Sequence, residues 1–428
     1  MSAPDEWRRL HPLTPLLRGW RILLVLVAAF GQQGLRREEG FDPAYIGLGV
    51  LAATVLGVAV SFLSWRVTRY RLTTTELQVD TGVLQRRSRR VPLARLQSVD
   101  VVRPVIARAL GLAELRLEVV GGGRTEAPLA YLSEDDAQSL RSRLLAAAAG
   151  RAEQLAPAHL EGVLVKVPTG VLIASTLLGP PLATTVVFLF AIVLTAVISA
   201  GAALPVALAA LPAYAGFVTV TGRRLLTEYG FTVSESPDGL RLRHGLLDTR
   251  SQTIPAGRVQ TVRLLEPLLW RPFGWVRVEV DVAGYAGRRG DEQAATSALL
   301  PVAPRALAEA LVSRVLGAAP PVARAPVPSR SRWRAPLSRR RLLAGLDHTH
   351  LVTTHGVLTT TIDVVPLGKI QSLRVTSGPW QQLLRLASLH ADTAGRRLPG
   401  ATAHHRDAAE ADALLAELVT RTRAARAT

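Results

Sequence analysis

Histidine and carboxylate side chains are the groups with which this chain could bind a metal or transfer protons. His348, His350 and His355 lie close together, but Asp347 is the only carboxylate beside them and the chain contains no cysteine. Residues two apart in an extended segment share a face, so this spacing places at most two imidazoles on one face. A structural zinc site takes about four ligands. The histidine pair at 404–405 is interpreted in the same way. We expect no metal and no cofactor.

A cluster of acidic residues is the next candidate for acid–base chemistry. Glu134, Asp135 and Asp136 directly follow Ser133, which is the pattern of a helix N-cap followed by acids in the first turn. The sequence also contains no phosphate-binding glycine loop after a strand, no G-x-S-x-G nucleophile motif and no H-E-x-x-H motif. The cluster is therefore interpreted as structural, and the protein is predicted not to be an enzyme.

Two apolar blocks account for much of the hydrophobic content of 48%. They run from Leu16 to Trp65 and from Val171 to Thr221, and each is long enough for two crossings of a ~30 Å hydrocarbon core at about 20 residues per helix. The sequence therefore predicts two transmembrane hairpins. For the first span an amphipathic surface helix is the alternative, because Arg18 and Arg21 lie at its start.

The distribution of positive charge predicts the orientation of these spans. Arginines precede the first block, and further arginines follow both blocks, including Arg66 and Arg69 after the first and Arg223 and Arg224 after the second. Cytoplasmic flanks carry such an excess, so we expect a multi-pass protein of the cell membrane with its soluble domains in the cytoplasm. The net charge of +18 is scattered, with few aromatics interleaved, which disfavours nucleic acid as a partner.

A short motif recurs in three segments with identical spacing. In each segment Pro lies ten residues after Gly, a basic residue lies three after Pro, and Gln lies five after Pro. The glycines, prolines and glutamines are Gly82, Pro92, Gln97, Gly245, Pro255, Gln260, Gly356, Pro366 and Gln371. The basic residues are Arg95, Arg258 and Lys369. The flanking residues alternate between apolar and polar, which predicts a β-hairpin at each Gly, further strands and a closing amphipathic helix.

This motif, a G-(V/L)-L turn followed by (V/I)-P-x-x-(R/K)-x-Q-(S/T), resembles the bacterial pleckstrin-homology-like family known as membrane-flanked domains, of the YdbS and YdbT type. The resemblance implies a mixed fold. Transmembrane hairpins alternate with β-rich PH-like domains, each made of two antiparallel sheets capped by a C-terminal helix. The third copy departs from the pattern, since Arg385 stands where Gly111 and Gly274 stand in the other copies.

The repeats and the apolar blocks together predict the domain organisation. The expected divisions are the N-terminal segment with the first hairpin at 1–66, the first PH-like domain at 67–150, the second hairpin at 160–222, the second domain at 223–317, a linker at 318–336, and the third domain at 337–428. The linker is rich in Pro, Ala and Arg and is interpreted as a semi-rigid spacer, with recruitment of a partner to its proline motif as the alternative.

The repeated Pro and Gln residues are interpreted as mainly structural. Pro suits a strand end or bulge, and Gln can satisfy a backbone group that would otherwise be buried unpaired. The basic residue between them is the candidate contact for a partner or an acidic headgroup. A run of further arginines, Arg86, Arg87, Arg89 and Arg90, could meet anionic lipid headgroups or simply form a solvated strand face.

These observations favour a non-enzymatic membrane scaffold. Its cytoplasmic domains would bind a protein partner, another copy of the chain or the bilayer surface, and the family resemblance suggests a role in envelope stress or antibiotic tolerance. The alternative is a component of a transporter or exporter. The predicted spans contain no central acid or base of the kind that lines an ion pathway, which argues against that alternative.

Overall fold

The computed structural model describes residues 7–15, 43–82, 86–119, 129–148, 162–199, 203–236, 239–255, 257–282, 298–395, 398 and 400–427. The chain divides into two compact units. The first unit comprises Met1–His159 together with Asp248–Gln252, and the second comprises Leu160–Leu247 and Thr253–Thr428.

The first unit holds the first repeat, built as two antiparallel sheets and a closing helix. One sheet has the order β1 (Arg8–Arg9), β2 (Arg69–Leu72), β3 (Glu76–Thr81) and β4 (Arg87–Pro92), and the other contains β5 (Leu96–Arg103), β6 (Leu112–Val119) and β7 (Leu129–Ser133). The helices are α1 (Pro43–Val67), α2 (Val105–Ala109) and α3 (Glu134–Ala148). As predicted, Ser133 caps α3: its Oγ accepts a hydrogen bond from the Asp136 amide at 3.1 Å.

The core of this unit follows from the alternation of its strands. Leu115 and Leu117 of β6 are fully buried, as is Leu144 of α3, which packs against them. The segment Thr249–Ser251, which the chain supplies from much later in the sequence, pairs antiparallel with β5 and places Arg250 opposite Val102.

The second unit begins with strands and helices that belong to the second repeat. Its strands are β8 (Val163–Lys166), β9 (Thr232–Ser236), β10 (Gly239–His244), β11 (Thr249–Ile254), whose first residues group with the first unit, β12 (Val259–Pro267), β13 (Trp275–Val282) and β14 (Ala298–Pro304). Its helices are α4 (Thr169–Leu177), α5 (Pro180–Ile198), α6 (Ala203–Glu228) and α7 (Arg305–Leu316). Along β13 the side chains of Val276, Val278 and Val280 are buried, which confirms the predicted alternation.

The third repeat completes the second unit. Its strands are β15 (Ala325–Pro326), β16 (Leu343–Leu346), β17 (His350–His355), β18 (Thr359–Pro366), β19 (Ile370–Thr376), β20 (Leu386–Thr393) and β21 (Ala401–Asp407). Its helices are α8 (Pro379–Leu383) and α9 (Ala408–Ala427). The antiparallel sheets and the C-terminal helix expected from the resemblance are therefore present, and the third copy has a full set of elements despite its departures in sequence.

The sheets of the second and third repeats are continuous. Strand β12 pairs with β13 on one side and with β18 of the next repeat on the other, giving the order β14, β13, β12, β18, β17, β16, β15. The register places Val262 opposite Val364 and Leu264 opposite Ile362. Neither the repeat pattern nor the resemblance predicts this pairing between copies.

The predicted linker at 318–336 forms part of this architecture. Ala325 and Pro326 add an edge strand to β16, and a 3₁₀ helix follows at Ser329–Trp333. Ser331 within that helix is fully buried. This stretch is therefore packed on the third repeat, which begins before residue 337.

Helices α1, α4, α5 and α6 overlap the two apolar blocks in which membrane spans are predicted. Within the described ranges, no helix reaches the length and apolar character required to cross a membrane. The first predicted span lies outside the described residues.

Candidate functional site

The three motif glycines share one backbone conformation. Gly82, Gly245 and Gly356 have φ angles of 103°, 109° and 95°, in the region where an L side chain is strained. A Cβ atom on Gly356 would lie 2.0 Å from the Thr359 carbonyl oxygen, so any side chain would also collide there. The motif Gly therefore occupies a turn that requires glycine.

The motif prolines precede a tight turn that presents the basic residue. Pro92 and Pro366 end strands β4 and β18, and the 3₁₀ helices Leu93–Arg95 and Leu367–Lys369 follow directly. Arg95 is exposed at the end of the first of these helices, whereas Lys369 is half-buried at the end of the second. In the second repeat Pro255 is half-buried and Arg258 is exposed.

The motif glutamines have different surroundings in different copies. Gln260 is 6% exposed, and its Nε2 donates to the Arg258 carbonyl oxygen at 3.2 Å. Gln371 is exposed, and the side chain of Gln97 lies outside the description. A backbone-satisfying role therefore fits the second copy and does not fit the third.

A cleft of about 510 Å³ brings the motifs of the second and third repeats together. Gln260 of one repeat and Lys369 and Gln371 of the other line it, with Arg426 from α9. Arg426 is fixed by a hydrogen bond from its guanidinium to the Ile370 carbonyl oxygen. Two cations and two amides converge here, so the cleft has the chemistry to accept an anionic or carbonyl-bearing group.

The remaining predicted basic residues lie at the surface of the first unit. Arg86, Arg87, Arg89 and Arg90 are all exposed, and the last three belong to β4. Strand β4 lies at one end of its four-stranded sheet. This placement is compatible with both sequence interpretations, a solvated strand face and a surface for anionic headgroups.

Histidines from different parts of the third repeat approach one another. The rings of His355 and His404 are 5.4 Å apart, and His405 follows at 6.0 Å from His404. Burial, together with these neighbouring histidines, lowers the pKa of His404 to about 4. The described residues contain no group of three or more side chains arranged to hold a metal ion.

Asp347, the carboxylate beside the histidine cluster, shapes a turn. It accepts hydrogen bonds from the backbone amides of Thr349 and His350, each at 2.6 Å. Burial would raise the pKa of Asp347, but these amides outweigh it and hold the pKa below its usual value. The carboxylate is already engaged by the backbone of its own turn.

A buried ion pair joins the second and third repeats at their shared sheet. The Arg263 guanidinium lies 2.6 Å from Asp363, directly opposite it in the β12–β18 register, and the Asp363 side chain is 2% exposed. Burial raises the pKa of Asp363, and Arg263 opposes that shift. The sequence does not predict this pair, since nothing in the alternation of either strand indicates which strand lies opposite.

A second buried cluster fixes the end of α6 to the second repeat. Glu228 lies 2.5 Å from Arg277 and 3.0 Å from Arg224, and Arg277 also lies 2.9 Å from Glu279. Burial alone would raise the pKa of Glu228, but the two guanidiniums outweigh it and hold the pKa below its ordinary value. The cluster connects the C-terminal end of α6, the last helix of the second apolar block, to strand β13.

The backbone conformation at Arg385 supports the alignment of the third repeat with the other two. It also predicts the effect of a substitution on stability. Arg385 has a φ of 51°, close to the 67° and 62° of Gly111 and Gly274, so a non-glycine residue bears the left-handed conformation in this copy alone. We expect Arg385→Gly to stabilise the protein by about 1 kcal/mol, because the steric penalty of this conformation exceeds the entropy cost of glycine. Thermal unfolding of the full chain in detergent would measure the change.

Gly274→Arg is the matched control for that substitution. A Cβ at Gly274 would have no heavy atom within 4 Å, so the substitution tests backbone conformation rather than space. We expect it to destabilise the protein by a similar amount. A melting temperature lowered by Arg385→Gly would contradict the equivalence of the two positions.

This arrangement, three repeats of antiparallel sheets with a closing helix that share one turn motif, defines a class of protein. The bacterial PH domain family matches residues 22–148, 171–319 and 328–422, and the chain belongs to this family. The UPF0699 transmembrane protein YdbT of Bacillus subtilis (strain 168) is 23% identical over 285 residues, which cover 60% of this chain and 57% of that protein. The predicted YdbT-like, PH-like identity is thus confirmed.

The matched region is limited in length. This chain spans just over half of the relative it matches. No solved structure is significantly similar to this chain.

Proposed function

We propose that this protein is a membrane-attached scaffold whose PH-like domains bind other chains by strand addition. The pairing of β12 with β18 carries the proposal. One repeat offers the edge of its sheet and the next repeat fills that edge with a strand. Main-chain hydrogen bonding along an exposed sheet edge is a recurrent mode of protein recognition.

The third repeat offers the same edge without an occupant in the described part of the chain. Strand β19 follows the third motif as β12 follows the second, and its only partner among described strands is β20. Gln371, Ser372, Arg374 and Thr376 along it are exposed. An extended segment of a protein partner or of a second copy is the ligand that such an edge accepts.

The membrane attachment rests on the apolar blocks and on the name of the relative. Helices α5 and α6 pack together as a hairpin, and α5 leaves large apolar side chains outside it, with Val187, Phe190 and Val197 exposed by 68%, 66% and 80%. The relative is named as a transmembrane protein. With the arginines that follow each block, this supports a multi-pass protein of the cell membrane whose PH-like domains lie in the cytoplasm.

Site-specific crosslinking tests the open edge. The chain has no cysteine, so a single Cys can carry a photocrosslinker at a chosen position. We expect Thr376→Cys, at the exposed end of β19, to yield one recurrent adduct in intact membranes. Mass spectrometry would identify that adduct as a second copy or as a partner.

Ala413→Cys is the control, since Ala413 is exposed on α9 of the same repeat and is not part of strand β19. It should give only diffuse background. Equal labelling patterns from the two positions, or no adduct from Thr376, would contradict binding at the β19 edge.

A further inference from the structure

Two exposed tryptophans mark an apolar patch on the third repeat. Trp333 is the last residue of the 3₁₀ helix Ser329–Trp333 and is 73% exposed, and Trp380 on α8 is 70% exposed. Leu383, also on α8, is 74% exposed. Trp333, Trp380 and Leu383 line one shallow concavity of about 350 Å³ together with Arg334 and Leu384. Side chains from two separate elements thus form a single surface, which we call the tryptophan patch.

Hydrogen bonds anchor the two elements that carry this patch, although the apolar side chains themselves protrude. Ser331, two residues before Trp333, is fully buried, and its Oγ donates to the Pro328 carbonyl oxygen at 2.7 Å. The Arg330 guanidinium donates to the Arg385 carbonyl oxygen at 3.1 Å, which ties the 3₁₀ helix to the turn after α8. The Gly378 amide donates to Gln381 at the start of α8, at 3.0 Å. The exposure of the two indoles is therefore built into the fold.

The segment that carries Trp333 is strongly basic. From Gly317 to Leu346 the sequence contains no acidic residue and seven arginines, which are Arg324, Arg330, Arg332, Arg334, Arg339, Arg340 and Arg341. The Arg332 guanidinium lies 5.3 Å from the centre of the Trp333 ring, and Arg334 lines the concavity itself. Arg330 pairs with Asp407, whereas Arg332 and Arg334 lie at the patch itself. Protruding apolar rings beside such an excess of arginine suit an anionic surface with an apolar interior.

We propose that the tryptophan patch docks the third repeat on an anionic lipid bilayer. The indoles and Leu383 enter the interfacial layer, where tryptophan is favoured, and the surrounding arginines lie among the headgroups. A peptide partner fits less well, because the apolar side chains stand out from the surface and do not line a deep groove. This inference rests on the proposed membrane attachment, and it adds a second, reversible contact to the membrane.

Depth-sensitive fluorescence in vesicles tests the proposal with the full chain. Leu383→Cys, labelled with an environment-sensitive fluorophore, would be reconstituted in pure phosphatidylcholine and in phosphatidylcholine mixed with phosphatidylglycerol. We expect a blue-shifted emission, quenched by brominated lipid, in the anionic vesicles only. Each of Arg332→Gln and Arg334→Gln should weaken this partition by about fivefold, and high salt should reverse it.

Two variants control for folding and for general lipid contact. The same fluorophore on Ala413→Cys, exposed on α9, should report water in both kinds of vesicle. Trp333→Ser combined with Trp380→Ser should abolish the shift at Leu383 while the melting temperature of the chain stays unchanged, because both indoles are exposed.

The possible outcomes separate this inference from the proposed function. Flotation of the chain with vesicles while the Leu383 label still reports water in anionic lipid overturns the docking but leaves membrane attachment intact. Failure to float with any vesicle removes the attachment itself. A blue shift that is equal in neutral vesicles, or that depends on protein concentration, also overturns the proposal, since it indicates general apolar burial or a second copy.

Discussion

Glu228→Gln is expected to destabilise the second unit by about 3 kcal/mol. The substitution keeps the shape of the side chain but removes the charge that compensates two guanidiniums, those of Arg277 at 2.5 Å and Arg224 at 3.0 Å. The Glu228 side chain is 3% exposed, and breaking a buried pair by removing one partner costs about 3–5 kcal/mol. The lower end applies because Glu279 continues to pair with Arg277. Thermal unfolding in detergent measures the loss.

Glu309→Gln is the matched control. Glu309 also pairs with an arginine four residues away, Arg305 at 2.8 Å, but both side chains are about half exposed. Water and salt screen that pair, so its loss should cost under about 1 kcal/mol. If the two variants unfold at the same temperature, the buried cluster does not stabilise the unit.

The pH dependence of the Glu228 variant provides a second test. The arginines hold the pKa of Glu228 below its ordinary value of 4.5, so the folded state favours the ionised carboxylate more than the unfolded chain does. This contribution to the free energy of unfolding is complete above pH 4.5 and declines as the pH falls below that value. Glu228→Gln should therefore remove part of the acid destabilisation of the parent protein. If the variant and the parent lose stability equally as the pH falls below 4.5, the lowered pKa of Glu228 is contradicted.

Local features of the fold could be predicted because each depends on a few neighbouring residues. The spacing of Gly82, Gly245 and Gly356 identified turns that all require a positive φ. Ser133 before a run of acids identified the start of α3. The alternation along Trp275–Val282 identified which side chains are buried. In each case propensity, capping and periodicity agree, and such agreement is what makes a local prediction reliable.

The arrangement of the repeats could not be predicted in the same way. Alternation along a strand gives its buried face but says nothing about which strand lies on either edge. Arg263 and Asp363 are 100 residues apart, and the polar–apolar pattern of each segment would be identical with another neighbour. The cleft lined by Gln260 and Lys369 depends on that pairing, so the sequence does not predict it although both residues belong to the repeated motif. Likewise, the Pro- and Arg-rich composition of 318–336 predicts a spacer. In the structure this stretch contains a 3₁₀ helix whose Ser331 is fully buried.

The buried pair at the shared sheet leads to the second large expected effect. Arg263→Leu should destabilise the junction between the second and third repeats by about 3–5 kcal/mol, because it leaves the Asp363 carboxylate buried without its partner at 2.6 Å. Limited proteolysis between the two repeats, together with thermal unfolding, should show the junction opening first. The double variant Arg263→Leu with Asp363→Leu should recover most of the lost stability, since an apolar pair suits two neighbouring strands.

The sign of the pH effect at this junction is opposite to that at Glu228. Burial raises the pKa of Asp363 above its ordinary value of 3.8, so the folded state binds a proton more readily than the unfolded chain does. The resulting stabilisation is complete below pH 3.8 and is lost as the pH rises through the pKa of the folded state. In Arg263→Leu the opposing guanidinium is gone, which should raise that pKa further and make the variant's deficit smaller in acid than at neutral pH. A deficit that is constant with pH, or a double variant no more stable than Arg263→Leu, would show that the strands are held by packing alone.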